Sequence, residues 1–206
     1  TLLYHDNFDK QSNMYTQAIA RKNKLTSFLR ENNYERLSKR PNVTIYTGMG
    51  SFVSPNTVKV VLSEEEIELQ GKEIFINTGS TAIIPNIEGI QQSRNVYTST
   101  TLLDLDILPK HLIIIGGGYI GLEFASMYAG FGSKVTILEI GNRFMPRNDS
   151  DIAKSIREVM EKKGIEIRLN VRTQSIHDTH DGVTLTYSDT SDGTPYFVDG
   201  DAILVA

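Results

Sequence analysis

Three glycines stand at the first, third and sixth places of Gly116-Gly117-Gly118-Tyr119-Ile120-Gly121. The hexad follows an apolar run, His111–Ile115, and opens a stretch with helical spacing. A glycine turn between a buried strand and a helix suits one task above others, which is holding a phosphate. Gly116 permits a tight turn, Gly118 has no Cβ to keep a pyrophosphate from the backbone, and Gly121 lets helix and strand pack closely. The helix then offers the anion its unpaired N–H groups and the positive end of its dipole. Eighteen residues past Gly121, Glu139 closes a second apolar run, Lys134–Leu138. A carboxylate there accepts hydrogen bonds from the ribose of a dinucleotide and repels a 2′-phosphate, which favours NAD over NADP. Arg143 and Arg147 lie downstream and could answer a 2′-phosphate, so the preference stays open. The bland alternative is a glycine-rich turn that binds nothing, with Glu139 an ordinary strand-end acid. Tyr119 and Glu123 fall on the first turns of the helix, within reach of a nicotinamide. Glu123 precedes a core run, Phe124, Ala125, Met127 and Tyr128, so it is either a buried, paired carboxylate or a functional one.

Elements of a particular kind must position these groups. His111–Ile115 and Lys134–Leu138 read as strands buried on both faces of a parallel sheet. Helices are expected over 119–131 and 150–163, the second ended by Gly164 as a C′ glycine. Ile165–Leu169 is a third strand, and short strands at 175–177, 183–187, 196–198 and 202–205 follow. The order β-α-β-α-β implies a doubly wound parallel sheet, with the later strands as an antiparallel add-on. Before it, residues 9–38 read as one helix with an apolar stripe of Met14, Ala18, Leu25, Phe28 and Leu29. Arg21, Lys22, Lys24 and Arg30 read as its solvated face. Short strands are expected at 43–46, 57–62, 66–69, 72–77 and 96–98, and a short helix at 99–106. The domain boundary is placed at 105/106.

Composition narrows the function classes. The chain has 206 residues, 39% hydrophobic and 22% charged, which is globular. Its net charge of −4 offers no basic excess for phosphate-backbone contacts, against nucleic acid as the main partner. No apolar run approaches the about 18 residues of a membrane span. The start lacks a secretory layout, and a cytoplasmic location is expected. It also lacks an initiator Met, so the chain reads as a piece of something longer. There is no cysteine, hence no disulfide, thiolate metal site or cysteine nucleophile within these residues. His177 and His180, beside Asp178 and Asp181, read as a hairpin tip rather than a metal pair, and no metal is expected.

At 113–139 the string Ile-Ile-Gly-Gly-Gly-Tyr-Ile-Gly-Leu-Glu-Phe-Ala, then Gly-Ser-Lys-Val-Thr-Ile-Leu-Glu, resembles the nucleotide domain of the pyridine nucleotide-disulfide oxidoreductases. That family includes glutathione reductase, dihydrolipoamide dehydrogenase and mercuric reductase. Glu73–Ser80 resembles the family's alanine-threonine-glycine segment, with Asn77 in place of the alanine. Pro85-x-Ile87-x-Gly89 and Asp201–Ala206 resemble further family elements. Ala18–Asn33 and Phe144-Met145-Pro146-Arg147 are most similar to the bacterial reactive-chlorine-resistance flavoprotein reductases. The resemblance implies a Rossmann-type fold over 106–206 for NAD, and a helix and short strands of a partial FAD-binding domain over 1–105. It implies that Gly116, Gly117, Gly118, Tyr119, Ile120, Gly121 and Glu139 hold NAD(H). Gly50, Thr78 and Gly79 would touch FAD through their backbone. Tyr119 would lie over the flavin and swing aside for nicotinamide, and Glu123 would lie near the nicotinamide and pair with a flavin-side lysine.

The family's own FAD glycine motif, its redox cysteine pair and its dimerisation domain are not in this sequence. Thr1-Leu2-Leu3 resembles the residues that follow that pair. The expectation is therefore the NAD(P)H-binding portion of an FAD-dependent oxidoreductase, inactive alone. The intact parent would be a homodimer, passing hydride from NADH to flavin and then to a cysteine pair, a disulfide or a small oxidant. The rivals are a flavoprotein NADH oxidase, a single-cysteine disulfide reductase, and a non-catalytic nucleotide-binding module.

Overall fold

A computed structural model describes residues 8–206. The resemblance at Thr1-Leu2-Leu3 lies outside the described residues. The helical periodicity near the start becomes α1 (Phe8–Ser38). Its buried positions are Gln11, Tyr15 and Ile19, one turn apart on one face. The expected stripe is not the buried one: Met14, Leu25, Phe28 and Leu29 are all exposed. Three strands follow, β1 (Met49–Ser54), β2 (Thr57–Val61) and β3 (Glu66–Gln70), paired antiparallel in chain order. Strands expected at 43–46 and 72–77 do not form, and β1 forms where none was expected. Neither segment is hydrogen-bonded into the three-stranded sheet, whose order is β1-β2-β3, and a run that pairs with no neighbour is not a strand.

The remaining elements are β4 (Val96–Thr98), α2 (Ser99–Leu102), β5 (His111–Ile115), α3 (Tyr119–Gly130), β6 (Lys134–Leu138), α4 (Ser150–Lys162), β7 (Ile165–Arg168), β8 (Val171–Asp178), β9 (Val183–Asp189), β10 (Pro195–Gly200) and β11 (Ala202–Val205). The Thr98 side chain caps α2 through a reciprocal pair with Thr101, and the helix stops at Leu102 rather than 106. Strands β4-β11-β5-β6-β7 make one parallel sheet in that spatial order. β11 therefore leaves the expected antiparallel group and inserts between β4 and β5. Its four residues are all buried, the signature of a strand covered on both faces. β8, β9 and β10 form the antiparallel add-on.

Alternation sorts the sheet's side chains into two cores. Leu112, Ile114, Val135, Ile137, Ile165 and Leu204 pack under Leu122, Phe124, Tyr128 and Met160 of α3 and α4, with Tyr15 of α1. Ile113, Leu138, Ile203 and Val205 pack on the other face against Ile176, Leu185 and Val198 of the antiparallel sheet. One face of the parallel sheet is thus wound with helices and the other is covered by a second sheet. Gly132 (φ +97°) and Gly164 (φ +80°) end α3 and α4 in the left-handed region, the second as expected. The chain divides into two compact units, residues up to Arg21 with Ala82–Ala206, and Lys22–Thr81. The parallel sheet, β4 included, lies in the first of these units.

Candidate functional site

The β5–α3 turn is built from backbone crowding. Gly116 has φ +110°, and a Cβ on it would lie 2.4 Å from the carbonyl oxygen of Ala206. Its N–H donates to the Leu138 carbonyl at 2.9 Å, tying the turn to β6. A Cβ on Gly121 would lie 2.3 Å from the Gly116 carbonyl oxygen. Both glycines are demanded by the fold. Gly118 is different: it is the extended N-cap of α3, no side chain caps the helix, and nothing lies within 4 Å of where its Cβ would be. The first intrahelical bond at this end is from Leu122 N–H to the Gly118 carbonyl. The N–H groups of Tyr119, Ile120 and Gly121 precede it and have no carbonyl one turn back. A pyrophosphate fits there, since the open face of Gly118 leads to those donors and to the helix dipole.

Glu139 is not an ordinary strand-end acid. Gly117 N–H donates to its Oε2 and Gly141 N–H to its Oε1, each at 2.7 Å. Cβ atoms on these two glycines would stand 3.1 and 3.0 Å from the same oxygens. A Cβ on either glycine would crowd the carboxylate by a few tenths of an ångström. A carboxylate has about four lone-pair sites, so two remain for hydroxyl donors. The main chain of Glu139 is fixed as well, its N–H donating to the Arg168 carbonyl and its carbonyl accepting from Val171 N–H.

These groups line a groove of about 250 Å³ formed by Gly117, Gly118, Tyr119, Glu139, Met145, Pro146, Arg147 and Asn148. Tyr119 is 62% exposed, and its hydroxyl donates to Asn148 Oδ1 at 3.1 Å. Ile120 is exposed beside it, and Gly116 and Gly121 lie beneath in the turn. Glu123 is exposed on α3, so its reading as a buried, paired carboxylate is corrected. The apolar neighbours Phe124, Ala125 and Tyr128 turn inward on the same helix while Glu123 turns out. Of the two arginines, Arg147 lines the groove, whereas Arg143 lines a separate cavity with Phe144, Lys154 and Arg157.

Gly50, Thr78 and Gly79 belong to the other unit and do not line the groove. Gly50 pairs with Val60 in the three-stranded sheet, and Thr78 and Gly79 sit in an exposed, irregular segment. Gly79 has φ +72° with open space around it. His180 is almost fully exposed, paired with Asp181 in the β8–β9 hairpin. Among the described residues no group of three His, Cys, Asp or Glu could hold a metal, and no helix is long and apolar enough to cross a membrane. Sequence reasoning missed Gly141 and Asn148. The signal for Gly141 was present, a glycine two residues past the acid, whereas nothing local marks Asn148.

A family model for pyridine nucleotide-disulphide oxidoreductases matches residues 5–206, and the chain belongs to that family. Over 174 residues it is 45% identical to the probable pyridine nucleotide-disulfide oxidoreductase RclA of Escherichia coli (strain K12), which covers 84% of this chain and 39% of that protein. It is 34% identical over 174 residues to the mitochondrial dihydrolipoyl dehydrogenase of Pisum sativum, covering 84% of this chain and 34% of that one. The structure matches that of the Cu(II) complex of the HOCl-induced flavoprotein disulfide reductase RclA from Escherichia coli with a TM-score of 0.86 and 40% identity, over 97% of this chain and 44% of the other. The chain therefore spans well under half the length of these relatives.

Proposed function

We propose that the groove at the β5–α3 turn binds the dinucleotide of an FAD-dependent pyridine nucleotide-disulfide oxidoreductase, and that it prefers NADH. The observation that carries this is the Glu139 carboxylate, clasped by two backbone amides at the groove wall and beside the open Gly118. In this reading Gly118 and the first amides of α3 hold the pyrophosphate, and the free lone pairs of Glu139 accept from the ribose hydroxyls. A 2′-phosphate would meet that fixed negative charge, although Arg147 stands in the same groove. Tyr119 and Glu123 face the nicotinamide end, where Tyr119 excludes water until nucleotide arrives. Gly50, Thr78 and the left-handed Gly79 present backbone to FAD. The bound cofactors together supply the two-electron chemistry. The intact protein would act as a homodimer on a disulfide or small oxidant.

Titration calorimetry of the chain with NADH and NADPH tests the reading. NADH should bind about tenfold more tightly than NADPH, and Glu139→Ala should weaken NADH by about tenfold, in line with loss of charge-assisted hydrogen bonds. Absence of NADH binding at millimolar concentration, or a Glu139→Ala chain that binds as the parent does, would overturn it.

A further inference from the structure

Glu139 is only as well placed as the two amides that hold it. Gly117 is fixed by the crowded turn that follows β5. Gly141 has no such support from its own segment, because it opens an irregular stretch between β6 and α4. Its support comes from elsewhere in the chain. The Gly141 carbonyl accepts from the N–H of Asn170 at 3.0 Å, and the Asn170 carbonyl accepts from the N–H of Thr190 at 2.7 Å. Asn170 lies between β7 and β8, and Thr190 directly follows β9. A continuous path of main-chain hydrogen bonds thus runs from the antiparallel sheet through Asn170 and Gly141 to Glu139 Oε1.

The conformation of Asn170 makes that path possible. Its φ is +58°, and Met145 is the other non-glycine residue with positive φ among those described. Asparagine tolerates the left-handed region, whereas β-branched residues do so poorly. In an extended conformation the N–H and carbonyl of residue 170 would not point at Gly141 and Thr190 together. Both bonds of the path at this residue are made by its main chain, so Asn170 acts through its backbone.

We infer that Asn170 is a positioning residue for the adenosine ribose of the nucleotide: its left-handed turn holds Gly141, and Gly141 holds the Glu139 carboxylate. The inference rests on the reading that Glu139 takes the ribose. It predicts that residues on the far side of the antiparallel sheet's junction with β7 tune nucleotide affinity without touching nucleotide.

The test compares NADH with its 2′-deoxyadenosine analogue by equilibrium titration of the full chain. The parent should prefer NADH by about tenfold, the value of a hydrogen bond to a charged group. Asn170→Val should weaken NADH several-fold, weaken the analogue less and bring the preference to within about twofold. Asn170→Gly should restore the parent's preference, because glycine adopts the left-handed turn freely. A merely structural role would weaken both ligands equally and keep their ratio, and that result would overturn the inference. If circular dichroism shows that the valine chain does not fold, Asn170→Ala decides by the same ratio, a preserved preference counting against. A parent that binds NADH with no preference over the analogue removes the ribose reading itself. A preference present in the parent and intact in the valine chain removes only the role of Asn170.

Discussion

The two units of the chain bury their side chains very differently. In the unit built on the parallel sheet, Leu112, Ile113, Ile114, Ile137, Ile203 and Leu204 are all fully buried. Among residues 22–81, Val60 alone is buried, while Met49, Phe52, Phe75 and Ile76 are exposed. A three-stranded sheet with no layer across its faces removes little apolar surface from water and gains little stability from it. The lesson is about where precision can be kept. The Glu139 clasp needs amides fixed to a fraction of an ångström, and it sits at the ends of strands that are covered on both faces. Of the glycines expected at FAD, Gly50 is held by the β1–β2 ladder of a largely exposed sheet, and Gly79 stands in open space.

Core substitutions should break this contrast most visibly. Leu112→Ala is expected to cost about 2–5 kcal/mol in urea unfolding, the range for a large residue truncated in a packed core. Phe75→Ala, at a side chain 88% exposed, should stay within about 0.5 kcal/mol. Equal costs would mean that residues 22–81 are covered by something this structure does not show. Glycine replacements come next. Gly116→Ala combines a left-handed backbone with a backbone oxygen 2.4 Å from the new Cβ, and should cost about 2–4 kcal/mol. Gly50→Ala should be neutral or stabilise by about 0.5–1 kcal/mol, since its Cβ would meet only Val58 at 3.7 Å and strand alanine loses less entropy. Thermal melts of the two variants check the difference in sign.

The same contrast explains what could be read in the sequence. The bounds of β5, β6 and β11 follow directly from continuous apolar runs, because such runs have one use in an α/β domain. The partner of β11 is not local information, and its place between β4 and β5 was invisible. Within residues 22–81, Met-Gly-Ser-Phe-Val-Ser of β1 has no alternation to announce it, and Val43–Tyr46 reads as a strand but joins no sheet. The stripe expected on α1 failed for a related reason. Leu25, Phe28 and Leu29 are correctly spaced for a helix face but belong to the unit that buries almost nothing. At the site, the crowded Gly116 and Gly121 were legible because their demands are steric and close in sequence, and Glu139 stood out as the acid that ends the next apolar run. Gly141, Asn148 and Asn170 were not, because their roles depend on segments that meet only in the fold.

Acid should find the weak point of the sheet's far face. The half-buried ring of His111 bonds Thr136 Oγ1 through Nε2 at 2.9 Å, and Thr136 donates in turn to Glu166. Burial first, and the Lys134 charge second, hold the imidazole below its usual 6.5. The folded chain therefore binds fewer protons than the unfolded one between that depressed value and 6.5. This contribution is complete above pH 6.5 and is lost as pH falls through the folded value. The slope from one such group is at most about 1.4 kcal/mol per pH unit. Urea midpoints of the parent and of His111→Gln should differ most above pH 6.5 and draw together as the pH falls below it. Parallel curves would assign the acid sensitivity to other groups.

The smallest effect expected lies across the mouth of the groove. Tyr119 stands on α3 and Asn148 on the segment before α4, both lining the groove, and a single hydrogen bond of 3.1 Å joins them. The dinucleotide proposed to lie from Gly118 to Glu139 would share the groove with this bridge. Breaking one exposed hydrogen bond costs about 0.5–1.5 kcal/mol, which corresponds to a factor of roughly two to ten in rate if the bridge must open first. Tyr119→Phe keeps the ring and removes the bridge. It should leave the melting temperature unchanged, because both groups are exposed, and raise the association rate of NADH by about two- to tenfold in stopped-flow fluorescence. Asn148→Ala should do the same, and the double variant should add nothing further, since either change removes the one bond. Unchanged association rates in both variants would show that Tyr119 moves freely and that the crowded turn beneath it, rather than the residues above, sets access to the site.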